Sequence, residues 1–188
     1  MELSAKWDRI YSQKIAPPSA ATVLEQNQHL LPKQGVALDL ACGQGGNALL
    51  LAEAGLSTSA WDLSSVAIDQ LIGNAESRSL AIDIQQRDVI QLPPEPNSVD
   101  VLVVSFFLDR ELCPALLSAL RPSGLLFYQT YCQKKVSEQG PRNPDFLLAE
   151  NELLALFSPM KIRVYREEAL LGQTDKGWRN QALLVAEK

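Results

Sequence analysis

The run Asp39-Leu-Ala-Cys-Gly-Gln-Gly-Gly46 places one acid four residues before a glycine cluster, Gly43, Gly45 and Gly46. Glycines let a backbone turn sharply and come close to a ligand. A buried acid just upstream can anchor such a loop by hydrogen bonds. Two more acids, Asp62 and Asp88, each close a strand-like segment downstream. An acid at a strand end is either a turn or cap residue or, at the carboxyl edge of a doubly wound sheet, a group that faces ligands. The chemistry indicated is nucleotide binding. Gly43-Gln-Gly-Gly-Asn-Ala48 also fits the dinucleotide fingerprint G-x-G-x-x-A, with Asp62 near the acid position expected for it.

These residues need elements to hold them. The apolar run 36–41 reads as a buried parallel strand, followed by a helix that runs to Ala54 and stops at Gly55. A second strand spans 57–62, and Ser64 is placed to cap a helix over about 65–77. Strands are expected at 82–88, 100–106, 125–131, 161–166 and about 181–187, with helices at about 110–120 and 147–157. Leu92-Pro-Pro-Glu-Pro-Asn-Ser98 cannot be regular structure. Five strand–helix repeats then end in two strands with no helix between them, and such strands pair antiparallel. The expected fold is α/β, a Rossmann-like three-layer sandwich. Its seven-stranded sheet is mostly parallel, with one antiparallel strand near the C-terminus. Residues 1–35 read as a helical lid segment, interrupted at Pro17-Pro18, and 36–188 as the main body of the same domain.

Composition narrows the partners. The 188 residues suit one domain, and the net charge of −5 with no run of Lys and Arg argues against nucleic acid. Cys42, Cys113 and Cys132 lack metal-ligand spacing and read as buried free thiols, so no metal site is expected. The opening Met1-Glu-Leu-Ser-Ala-Lys-Trp7 lacks a signal-peptide pattern, and no apolar run approaches a membrane span. A cytoplasmic protein, with no membrane partner, is expected.

The chain resembles the class I S-adenosylmethionine-dependent methyltransferases, and within them the small tellurite-resistance-type branch. The resemblance rests on Leu38-Asp-Leu-Ala-Cys-Gly-Gln-Gly45, Trp61-Asp-Leu-Ser64, Arg87-Asp88, Val99-Asp-Val-Leu-Val-Val104 and Leu120-Arg-Pro-Ser-Gly124, in that order. It implies S-adenosylmethionine as cofactor and S-adenosylhomocysteine as its product. It also implies site roles. Asp39, Ala41, Gly43 and Gly45 would face the methionine and ribose part, Asp62 and Leu63 the ribose hydroxyls, Asp88 and Val89 the adenine, and Ser105 the methionine end. Trp7 and Tyr11, in a segment that resembles the start of the branch, would cover the cofactor. The family usually has Gly where Ala41 stands, and the branch often has Arg where Gly46 stands, so a cation is missing here.

Methyl transfer is a direct displacement, and orientation is the protein's main contribution. The acceptor pocket is expected from the loops after the fourth and fifth strands and the N-terminal lid. Its candidate residues are Phe107, Asp109, Arg110, Tyr131, Arg142 and Asn143. The single histidine, His29, reads as structural, and no catalytic residue is assigned. With few bases available, the expected acceptor is a small molecule with a soft nucleophile, a thiol or a chalcogen oxyanion. The alternatives are a SAM-binding module without catalysis and a nicotinamide-dependent oxidoreductase. A monomer or homodimer is expected. On this reading Asp62→Ala should weaken cofactor binding with little change in melting temperature.

Overall fold

The computed structural model describes residues 2–13 and 16–188; Met1, Lys14 and Ile15 of the expected lid segment lie outside them. Seven strands form one sheet in the order β3-β2-β1-β4-β5-β7-β6. They are β1 Val36–Leu40, β2 Ser57–Asp62, β3 Ile82–Gln86, β4 Val99–Ser105, β5 Leu120–Tyr131, β6 Lys161–Arg166 and β7 Gln181–Glu187. Neighbours from β3 to β5 pair parallel, while β7 runs antiparallel to both β5 and β6. This is the mostly parallel sheet with one reversed strand that the sequence implies.

The helices are α1 Glu2–Ser12, α2 Thr22–Glu25, α3 Gly46–Glu53, α4 Ser65–Ser77, α5 Cys113–Ala119 and α6 Glu152–Leu156. Alternation along the strands sorts side chains onto two faces. Leu38, Leu40, Leu102, Val104, Leu126 and Tyr128 enter one buried cluster with Leu116 of α5 and Leu153 of α6. Ala37, Val101, Val103 and Phe127 enter another with Val23 and Leu24 of α2 and Leu51 of α3. Asp39 therefore points to the face that α3 covers, and Asp62 shares its face with Ala60, which packs against α3 and α4.

Local signals account for the best-defined ends. Gly55 has φ +89° and donates to the Ala52 carbonyl, closing α3. The Ser64 hydroxyl accepts from the Ala67 N–H at 3.2 Å, capping α4. Four expectations change. No helix joins β3 to β4, in line with the loop expected at 92–98, so the strand–helix repeats number four rather than five. The strand expected at 125–131 begins at Leu120, in a stretch read as a helix end and turn. The helix expected at 147–157 shrinks to Glu152–Leu156, because Asn151 adopts φ +61° and Leu148 bridges Cys132 instead. The expected helix over about 110–120 likewise starts only at Cys113, since the Asp109 carboxylate caps Leu112.

Candidate functional site

At the carboxyl end of β1 the chain reverses through left-handed residues, Ala41 (φ +55°), Gly43 (+55°) and Gly45 (+81°). Ala41 holds this conformation at a cost of about 1 kcal/mol that glycine would avoid. A Cβ on Gly43 would lie 2.6 Å from the Tyr11 hydroxyl, and one on Gly46 would collide with the Ser19 carbonyl. Position 46 is glycine because the N-terminal segment crosses it. The missing branch cation is thus a packing requirement of this chain.

Two buried acids hold the loop. Asp62 accepts from the Gly43 N–H at 2.7 Å and the Ser64 N–H at 2.8 Å, tying the glycine loop to the end of β2. Burial raises its pKa, and these backbone donors pull it back down. Asp39, fully buried, accepts from the Ala48 N–H at 3.0 Å and the Asn47 amide at 3.2 Å. Burial raises its pKa to about 7, against the lowering effect of those two bonds, and Asp62 adds a smaller push upward. Asn47 also donates to the Ser105 hydroxyl at 2.9 Å and accepts from the Ala21 N–H at 2.8 Å. One amide thereby joins β1, β4 and the N-terminal segment.

The α1 helix lies across this edge. Asp8 accepts from the Ser64 hydroxyl at 2.6 Å, and the Gln70 amide donates to the Tyr11 carbonyl at 3.2 Å. Tyr11 stands 6.1 Å from Trp7, ring to ring. Burial, then the charge of Asp62, pushes the Tyr11 pKa up, so it remains a neutral hydroxyl. The sequence reading missed Asp8 and Asn47. Asp8 lies within the segment that carries the branch resemblance, and Asn47 directly follows the glycines, but neither shows its partner in the sequence.

The other candidates fall into two groups. Near β2 and β3, the Leu63 carbonyl accepts from Ser4 and Gln86, and Asp88 accepts from the Ile90 N–H at 3.0 Å in the turn that carries buried Val89. Trp61 packs under the Arg87 guanidinium, 3.8 Å from its ring centre. Near β4 and β5, Phe107 sits partly buried against the core, and its carbonyl accepts from the Tyr128 hydroxyl at 2.9 Å. Arg110 donates to both Glu152 oxygens, at 2.6 and 2.9 Å, and to the carbonyls of Asp145 and Leu147. Arg142 is 86% exposed, 3.6 Å from Glu138. Asn143 caps Asp145, and Tyr131 packs 5.4 Å from Phe106, ring to ring. His29 is exposed, in a turn whose Leu30 packs with the Ala37 and Val101 cluster. Among the described residues, no group of three or more His, Cys, Asp and Glu is arranged to hold a metal ion.

Sheet order, reversed strand and glycine loop together make a Rossmann-like three-layer α/β fold with a ligand-facing edge at the carboxyl ends of the strands. Residues 37–124 match the family model described as a methyltransferase domain. A curated relative, a probable S-adenosyl-L-methionine-dependent methyltransferase TehB of Haemophilus influenzae, is 27% identical over 135 residues, 69% of this chain and 47% of its own. The chain thus spans about half the length of that relative. The crystal structure of TehB from Haemophilus influenzae superposes with a TM-score of 0.72 at 23% identity, covering 97% of this chain and 67% of that one. A structure described as the conversion of a disulfide bond into a thioacetal group during echinomycin biosynthesis gives 0.73 at 22% identity, covering 99% and 92%. The chain is thus similar to methyltransferases over residues 37–124, and it shares its fold with TehB of Haemophilus influenzae.

Proposed function

We propose that this chain is an S-adenosylmethionine-dependent methyltransferase acting on a small soft nucleophile, a thiol or a chalcogen oxyanion. One observation carries the cofactor choice. The Gly43 and Ala48 N–H groups, which would cradle a dinucleotide's pyrophosphate, already donate to Asp62 and Asp39. With both donors taken, the loop is not set up for a phosphate, and the Asp62 carboxylate bound to it suits a positively charged ligand.

S-adenosylmethionine supplies an activated methyl group on a sulfonium sulfur. The residues present fit it: Gly43 and Gly45 give the loop the left-handed backbone that brings it close to a ligand, and the Asp62 carboxylate beside it can oppose the cofactor's positive charge. Asp39, Ala41, Gly43, Gly45 and Ser105 would hold the methionine part, Asp62 and Leu63 the ribose, and Asp88 and Val89 the adenine. Trp7 and Tyr11, on the segment 1–35, would close over it and exclude water. Positioning of this kind lowers a barrier by about 7–11 kcal/mol in favourable cases. A nucleophile that ionises in water needs no protein base. In keeping with that, no histidine lies at this edge. TehB is a named methyltransferase, and the neighbour described for disulfide-to-thioacetal conversion handles sulfur; both are compatible with a soft acceptor. The reading has the chain acting in the cytoplasm, as a monomer or homodimer.

Calorimetric titration with S-adenosylmethionine, S-adenosylhomocysteine and NAD in parallel tests the cofactor. Micromolar binding of the first two and none of NAD is expected. Binding of NAD alone contradicts the reading.

A further inference from the structure

We propose that the acceptor is a thiol carried on a neutral aromatic or apolar body, rather than a small oxyanion. This rests on the methyltransferase reading above and narrows it. The cations near the expected acceptor loops are not arranged for an oxyanion. Arg110 is saturated by Glu152 and two carbonyls, and Arg142 is out in solvent. Lys135 donates to the Gln139 and Pro141 carbonyls, and Lys134 is exposed. Recognition of a small anion calls for a fixed cationic fork, and Arg110, the best-placed fork, is already filled.

An aromatic surface stands there instead. Phe106 directly follows Ser105, the residue that Asn47 ties to the glycine loop. Its backbone adopts φ +56° and its N–H donates to the Gln129 carbonyl at 2.8 Å. A bulky residue in the left-handed region is strained, and such strain persists where the surroundings enforce it, often at functional sites. The conformation leaves Phe106 46% exposed, with its ring 5.4 Å from that of Tyr131. Gly140 presses on the Tyr131 ring so closely that a Cβ there would lie 2.6 Å from it. The loop after β5 therefore braces Tyr131 against Phe106, and the exposed part of Phe106 offers an apolar contact next to the methionine end of the site.

The thiol loses its proton to water. The thiolate sulfur then bonds to the methyl carbon as the sulfonium carbon–sulfur bond breaks. Its electron pair stays on the donor sulfur, giving a thioether product and neutral-sulfur S-adenosylhomocysteine.

The test compares thiophenol, glutathione and tellurite as acceptors. It also measures binding of the product analogue thioanisole to the protein–S-adenosylhomocysteine complex by calorimetry. Thiophenol should be methylated with at least tenfold higher kcat/KM than glutathione or tellurite. Phe106→Ala should raise the thiophenol KM and the thioanisole Kd at least tenfold, with S-adenosylmethionine binding unchanged. Phe106→Tyr, which keeps the ring, should recover most of that loss. Preferred turnover of tellurite or glutathione overturns the proposal, as does an unchanged thioanisole Kd in Phe106→Ala. So does normal cofactor binding with no thiophenol turnover. Loss of cofactor binding in the parent protein itself would instead sink the methyltransferase reading on which the proposal rests.

Discussion

At the ends of β1 and β2, Asp39 and Asp62 are almost wholly buried and accept from backbone N–H groups. At the ends of β4 and β5, the charged side chains lie partly in water and bond to one another or to carbonyls. Backbone donors cannot swing away, so the first half of the edge is fixed in shape before any ligand arrives. The second half depends on a loop, 132–151, held by the Arg110 guanidinium, by Asn180 and by the Cys132–Leu148 bridge, and it carries the exposed aromatic surface of Phe106 and Tyr131. A rigid half suits the proposed cofactor, and a loop-built half suits the proposed acceptor, since binding residues often lie on loops held by a rigid scaffold.

The largest expected effect falls on the rigid half. Gly46→Arg drives a side chain into the Ser19 backbone, and overpacking there should cost about 3 kcal/mol, read as a shift of the urea midpoint. An unchanged midpoint would mean that the N-terminal segment moves aside freely and is not part of the fixed frame.

Asp62→Ala leaves the Gly43 and Ser64 N–H groups without their acceptor. Each buried unpaired group costs roughly 1 kcal/mol or more, so a total loss of about 2 kcal/mol is expected, together with at least tenfold weaker S-adenosylmethionine binding. This replaces the sequence expectation of weakened binding without destabilisation. A variant that loses binding at full stability would return Asp62 to a purely ligand-facing role.

Arg110→Ala sharpens the contrast from the other side. It releases the carbonyls of Asp145 and Leu147 and the Glu152 carboxylate, all at least partly in reach of water. A loss of about 1 kcal/mol is expected, with cofactor affinity unchanged. A tenfold drop in cofactor affinity would show that the two halves are coupled.

The smallest effect is one of pH. Asp39 has a raised pKa, about 7 in the fold against about 3.9 for an ordinary aspartate. The folded state therefore holds a proton that the unfolded chain releases. The stability this gives is present below about pH 4 and is lost as pH rises through about 7. The parent melting temperature should fall by several degrees more than that of Asp39→Asn between pH 5 and pH 8. Parallel pH profiles would mean that Asp39 ionises at its ordinary pKa in the fold.

What was legible in the sequence follows the range of the forces involved. The α4 cap at Ser64 and the α3 stop at Gly55 are local, and the sequence shows both. The reversed strand was legible because two strands without a crossover helix must pair antiparallel. Partnerships across the chain were not. Asp8 meets Ser64 across 56 residues and Asn47 meets Ala21 across 26, and no spacing rule encodes either. Gly46 looked like a lost cation, when its reason is the Ser19 backbone above it. Arg110 looked available to a substrate until Glu152, 42 residues away, proved to hold it. The short α6 was hidden because Asn151 in a left-handed conformation has no unambiguous signature.

Amide hydrogen exchange with and without S-adenosylmethionine tests the division of the edge most directly. The account predicts added protection over residues 41–48 and 62–64 and in α1, with little change over 133–149. Protection confined to 133–149, or the same pattern produced by NAD, would contradict it.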